Sequence, residues 1–101
     1  MLTHVSEDQL VQRLMKEHPH WSATAAAKTA HEFLLRCDEH LMDAVRIYCE
    51  TGAETSFSHG EFELDDIMFL RRCGYLEAVM LMDEYMKDEK KGRQLIMRGS
   101  K

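Results

Sequence analysis

The chain has 101 residues, with one proline and five glycines, and is 45% apolar and 31% charged at a net charge of −5. That balance excludes a disordered or low-complexity chain, and the length suits one small domain over residues 1–98 with a disordered tail at 99–101. No apolar run approaches the roughly 20 residues that span a bilayer, so no membrane role is expected. MLTHVSEDQL has no basic-then-apolar leader, and three cysteines without metal-like spacing suit reduced, mostly buried thiols, so a cytoplasmic location is expected. Ala, Leu, Met, Glu, Lys and Arg dominate, which predicts an all-α fold, a compact bundle of five to six short helices.

Ser6 as N-cap with Gln9 three residues later forms a capping box, and Val5 and Leu10 stand at the staple positions. Leu10, Val11, Leu14 and Met15 give one apolar stripe, and Pro19 stops the helix, predicting a span of 7–17. Ser22 caps a second helix at 23–37, with Ala26, Ala30, Phe33 and Cys37 on a narrow arc. Asp38 can cap a third, in which Leu41, Ala44, Val45 and Tyr48 repeat at helical spacing and Gly52 follows as a C-terminal stop. The sequence leaves open whether helices two and three are separate or continuous.

Residues 53–62, AETSFSHGEF, read as a loop with Phe57 and Phe62 tucked back onto the core. A fourth helix at 64–73 has Asp65 and Asp66 in its first turn and Arg71 and Arg72 in its last, matching the helix dipole, and Gly74 is expected to end it. The fifth, Tyr75 to Lys87, is apolar on most of its circumference and should be the central helix, or one shared with a partner. A charged break, DEKKG, precedes a short amphipathic segment, RQLIMR.

FLLRCDEHLMDAV (33–45) and FLRRCGYLEAV (69–79) are alike: Phe-Leu-x-Arg-Cys, a break, then Leu, an acid and Ala-Val. The bundle is therefore expected to be built from two similar helical hairpins. Their offset of about 35 residues is the size of an α-solenoid unit. Gly74 to Val79 resembles the G-Y-x-E-A stretch of tetratricopeptide repeats, and LEAVMLMDEYMKD resembles a pentatricopeptide second helix. Asp66 stands near the place where the tetratricopeptide pattern has a glycine.

Charge is divided along the chain. Residues 87–101 carry six Lys/Arg and two acids, a net +4, leaving seven basic and sixteen acidic groups, −9, on the first 86 residues. No Lys or Arg stands between Arg46 and Arg71. Glu54, Glu61, Glu63, Asp65 and Asp66 fall in that gap and are the candidate contacts for a basic protein partner. Lys87, Lys90, Lys91, Arg93 and Arg98 are the candidates for phosphate contact in the alternative reading, a DNA-associated regulator.

Catalytic and cofactor signatures are missing from the sequence: no nucleophile elbow, phosphate loop or dinucleotide fingerprint. Cys37 and His40 are three apart, but no second pair stands at zinc-finger spacing, so no metal and no cofactor are expected. The Gly74 turn could belong to a helix-turn-helix. Its second helix, YLEAVMLMDEYMKD, carries four acids and one Lys, whereas a base reader needs Arg, Lys, Asn or Gln. What remains is a non-enzymatic protein-interaction module. Met68, Met80, Met82 and Met86 could serve a contact surface, and the fifth helix could complete its burial in a homodimer.

The stretch HPHWSATAAAKTAHEFLLRCDEHLMDAVRIYCETG, with FLRRCGYLEAVMLMDEYMKD, resembles small helical accessory proteins of bacterial conjugative transposons and phages. The resemblance implies a regulator of a mobile element or an inhibitor of a host defence system, as anti-CRISPR proteins are. Acidic inhibitors of that kind often occupy a nucleic-acid-binding surface, a role that would suit the Glu50–Asp66 arc.

Overall fold

The computed structural model describes residues 6–98. Six helices and one two-stranded hairpin make up its regular structure: α1 (Glu7–Glu17), α2 (Ala23–Arg36), α3 (Glu39–Thr51), β1 (Ser58–His59), β2 (Phe62–Glu63), α4 (Leu64–Arg71), α5 (Tyr75–Lys87) and α6 (Glu89–Arg98). The protein is all-α, and the chain divides after Ala53 into two units. Val5 of the expected staple and the tail at 99–101 lie outside the described residues.

In the first unit α1 packs on both α2 and α3. Local chemistry sets its helix starts. Ser6 Oγ accepts from the Gln9 N–H at 3.1 Å while Gln9 Oε1 accepts from the Ser6 N–H, and Ser22 Oγ accepts from Ala25. Each such cap satisfies a donor that the first helical turn leaves over, a contribution of about 1 kcal/mol. The chain breaks between α2 and α3. Cys37 is extended, and the Asp38 carboxylate accepts from the His40 N–H at 2.9 Å. Gly52 closes α3 at φ +82°, a left-handed conformation that suits glycine. Leu10, Leu14, Ala26, Ala30, Phe33, Leu41 and Val45 form the buried apolar layer. A polar cluster ties α1 to α3. The Arg13 guanidinium lies 5.2 Å from the centre of the Tyr48 ring, and the Tyr48 hydroxyl donates to Glu17 at 2.6 Å.

In the second unit α5 packs against both α4 and α6, which also meet each other. Tyr75, Leu76, Ala78, Val79, Met82 and Tyr85 are buried, and so is Asp83, whose carboxylate accepts from Lys87 Nζ at 2.9 Å. α5 is thus the central helix of its unit, as its apolar circumference predicts. Met82 sits fully inside, and Met68, Met80 and Met86 are half-buried.

Three local expectations are corrected. α4 ends at Arg71, and the left-handed residue that follows is Arg72 at φ +52°, whereas Gly74 is extended and serves as the N-cap of α5. The charged run DEKKG is not a break but the start of α6. Asp88 ends α5, and its carboxylate then accepts from the Lys91 N–H at 3.1 Å to cap the next helix. Residues 53–62 are not all loop, because Gly60 at φ +58° turns β1 back onto β2 with His59 opposite Phe62. The two repeat copies both form helix, break and helix, but their leading aromatics differ: Phe33 is buried and Phe69 is 82% exposed.

Candidate functional site

The candidate acidic and basic residues all fall in the second unit, where Tyr85 anchors the turn that carries Glu61. The Tyr85 hydroxyl accepts from the Glu61 N–H at 3.3 Å, and Phe62 and His59 meet its ring edge-on at 5.1 and 5.8 Å. This seats the β1–β2 turn on α5. The turn in turn places Glu61 against Arg93 of α6, where the two side chains pair. His59 reaches Glu89 at the start of α6, 3.6 Å away. Immediately after β2, the Glu63 N–H donates to the Asp66 carboxylate at 3.0 Å, which fixes the first turn of α4.

One turn further on, α4 presents Phe69 and Leu70 beside Met97 of α6. Glu61, Phe62, Asp66, Phe69, Leu70, Arg93 and Met97 line a groove of about 320 Å³ within this unit. Phe62 is buried in its floor, while Phe69 is 82% and Met97 39% exposed. Phe69 is thus a large aromatic side chain open to solvent beside further apolar surface.

The five acidic candidates are all exposed, but they are not equivalent. Glu61 is paired with Arg93, and Asp66 is engaged at the start of α4, both on the groove. Glu54 and Asp65 lie toward Tyr75, whose hydroxyl donates to the Thr55 carbonyl at 2.7 Å. Burial pushes the Tyr75 hydroxyl up to about 12, and the negative charges of Glu54 and Asp65 push the same way. Glu63 stands between these two sets as the residue before α4.

The basic candidates are split in the same manner. Lys87 is held by Asp83 and Arg93 by Glu61. Lys90, Lys91 and Arg98 are exposed on α6 and make no ion pair among the described residues. Cys49 is buried, and desolvation lifts its thiol to about 11 against the partial opposition of Arg13, which leaves it a poor nucleophile. No group of three His, Cys, Asp or Glu among the described residues is placed to hold a metal ion. No helix among them is long and apolar enough to cross a membrane.

The acidic stretch is visible in the sequence, whereas the groove and the exposure of Phe69 were not predicted from it. A signal was present: Ile67, Met68, Phe69 and Leu70 are four consecutive apolar residues. At about 100° per residue they spread around most of an α-helix, so a short surface helix must leave one of them outward. A comparison with protein-family models, curated proteins and solved structures gave no match.

Proposed function

We propose that this chain is a non-enzymatic protein-interaction module that works in the cytoplasm by presenting an acidic surface to a basic protein partner. The observation that carries the reading is the exposed set Glu54, Glu61, Glu63, Asp65 and Asp66, in a stretch with no Lys or Arg between Arg46 and Arg71. A surface of one sign steers a partner of the other sign and rejects phosphate backbones. The resemblance to accessory proteins of conjugative transposons and phages supports a role as an inhibitor or regulator encoded by a mobile element, in the manner of anti-CRISPR proteins.

The test uses the acids that do least for the fold. Glu54→Lys with Asp65→Lys should abolish capture of a basic protein from a bacterial lysate while helical circular dichroism is retained. Capture that survives the reversal would end the reading. The second reading, a DNA-associated regulator, has support in Lys90, Lys91 and Arg98, which α6 leaves exposed and unpaired among the described residues. Engagement of Lys87 and Arg93 by acids leaves three of the five candidate cations for phosphate, a modest set against the acidic remainder. Duplex DNA binding that falls steeply with salt and is lost in a Lys90→Ala, Lys91→Ala, Arg98→Ala variant would favour it.

A further inference from the structure

We propose that α6 is a reading helix for duplex DNA, with Gln94 over base edges in the major groove and Lys90, Lys91 and Arg98 on the phosphates to either side. This rests on the DNA-associated reading and names the element, and the residue, that make it sequence-selective.

Gly92 and Ile96 are buried and turn one side of α6 onto the rest of its unit. At about 100° per residue, Gln94 falls opposite the midpoint between them, and Lys90, Lys91 and Arg98 lie within about 60° of it. All four residues are exposed, and among the described residues their side chains make no ion pair or hydrogen bond. Glu89, the one acid in α6, stands about 140° from Gln94 on the packed side, where it meets His59. The outward face is therefore free of acid. Helix stability does not account for its cations. Asp88 and Glu89 already supply the negative charge that the positive end of the helix dipole favours, and Lys90 and Lys91 in the same turn work against it.

A helix-turn-helix reading fails on α5, which carries acids where a base reader needs Arg, Lys, Asn or Gln. α6 follows α5 after a single residue and shows three of those four types on one exposed face. Lys90 and Arg98 are eight residues apart, about 12 Å along the axis, and the major groove is about 12 Å wide. Cations at the two ends of the face can thus meet phosphates of both strands while Gln94, midway, faces the bases. A glutamine amide pairs with the donor and acceptor on the major-groove edge of adenine. A single strand would call for aromatic platforms, and this face has none.

The experiment is fluorescence anisotropy with the full chain. The probes are a labelled duplex pool with a randomised centre and the best-bound duplex selected from it. For three phosphate contacts, log Kobs should fall with log salt at a slope of about −2.7. Lys90→Ala, Lys91→Ala and Arg98→Ala should each make that slope shallower by about 0.9 and weaken all duplexes alike. Gln94→Ala should leave the slope unchanged and reduce discrimination at an A·T pair at least about fivefold. Helical circular dichroism should survive all four changes, since each position is exposed. Duplex binding whose sequence preference is indifferent to Gln94→Ala overturns this role for α6 and leaves the DNA-associated reading standing. Affinity for heparin equal to that for the selected duplex also overturns it. A chain that binds no duplex even at low salt removes both.

Discussion

Gly92 of α6 lies directly against the backbone of Tyr85 in α5, so closely that a Cβ at Gly92 would fall on the Tyr85 Cα and N. The glycine is buried within a helix, where its flexible backbone ordinarily lowers stability by about 1 kcal/mol relative to alanine. Here the missing side chain is what allows the two helices to meet. Gly92→Ala should therefore lower stability, because an overpacking cost of about 1–3 kcal/mol exceeds the propensity gain. Urea unfolding followed by circular dichroism decides it by sign. A midpoint that rises would show that α5 and α6 do not approach this closely.

Tyr85 is confined at its other end as well. A Cβ on Gly60 would collide with the Tyr85 hydroxyl, and Gly60 also holds φ +58°. Gly60→Ala should cost stability through both the backbone conformation and the collision. Tyr85→Phe should cost about 0.5–1.5 kcal/mol for the lost acceptor of the Glu61 N–H. The two changes should not add. With the hydroxyl gone, part of the Gly60→Ala collision disappears, and a double-mutant cycle should show coupling of about 0.5 kcal/mol or more. Strict additivity would mean that the β1–β2 turn does not rest on this ring.

Helix starts were legible in the sequence because they are decided within four residues. Ser6 with Gln9, Ser22 and Asp38 each act on the donors just ahead of them, and no distant contact is needed to see it. The same locality gave α5 its span, since its apolar circumference is a property of thirteen consecutive residues. Arg72, Gly92 and Phe69 were not legible. Arg72 takes the left-handed turn where the sequence offers Gly74, because Gly74 is already committed to starting α5: its carbonyl accepts from the Ala78 N–H. Gly92 reads as a helix breaker until Tyr85 is seen beneath it. Phe69 matches Phe33 in a repeated motif, yet packing buries one and exposes the other.

Ser22→Ala should test the local half of that account. Its Oγ satisfies the Ala25 N–H at 3.1 Å, and loss of an N-cap costs about 0.5–2 kcal/mol. Ser22→Asp should recover most of the loss, since a carboxylate accepts the same bond and also faces the positive end of the helix dipole. Amide exchange localises the effect. Protection should fall first in the opening turn of α2, and uniform loss across the first unit would point to a packing defect instead.

Alkaline pH should unfold this protein earlier than its helical content alone implies. Burial pushes the Cys49 thiol from 9.0 to about 11, with Glu17 and Glu50 adding to the effect and Arg13 opposing it. Burial likewise pushes the Tyr75 hydroxyl from 10.0 to about 12, with Glu54 and Asp65 adding to it. Both groups hold their protons more tightly in the fold than in the unfolded chain. Their contribution is complete below the unfolded values and is lost as pH rises through the folded ones, so stability should fall between about 9 and about 12. Melting temperatures measured across that window should decline. Tyr75→Phe should flatten the upper part of the decline and Cys49→Ala the lower part, even though each lowers the melting temperature at neutral pH. Ultraviolet difference absorbance, read against Tyr75→Phe, should show Tyr75 ionising only as the helical signal is lost. A flat melting profile, or Tyr75 titrating freely in the folded chain, would mean that it is not shielded as its place at the head of α5 requires.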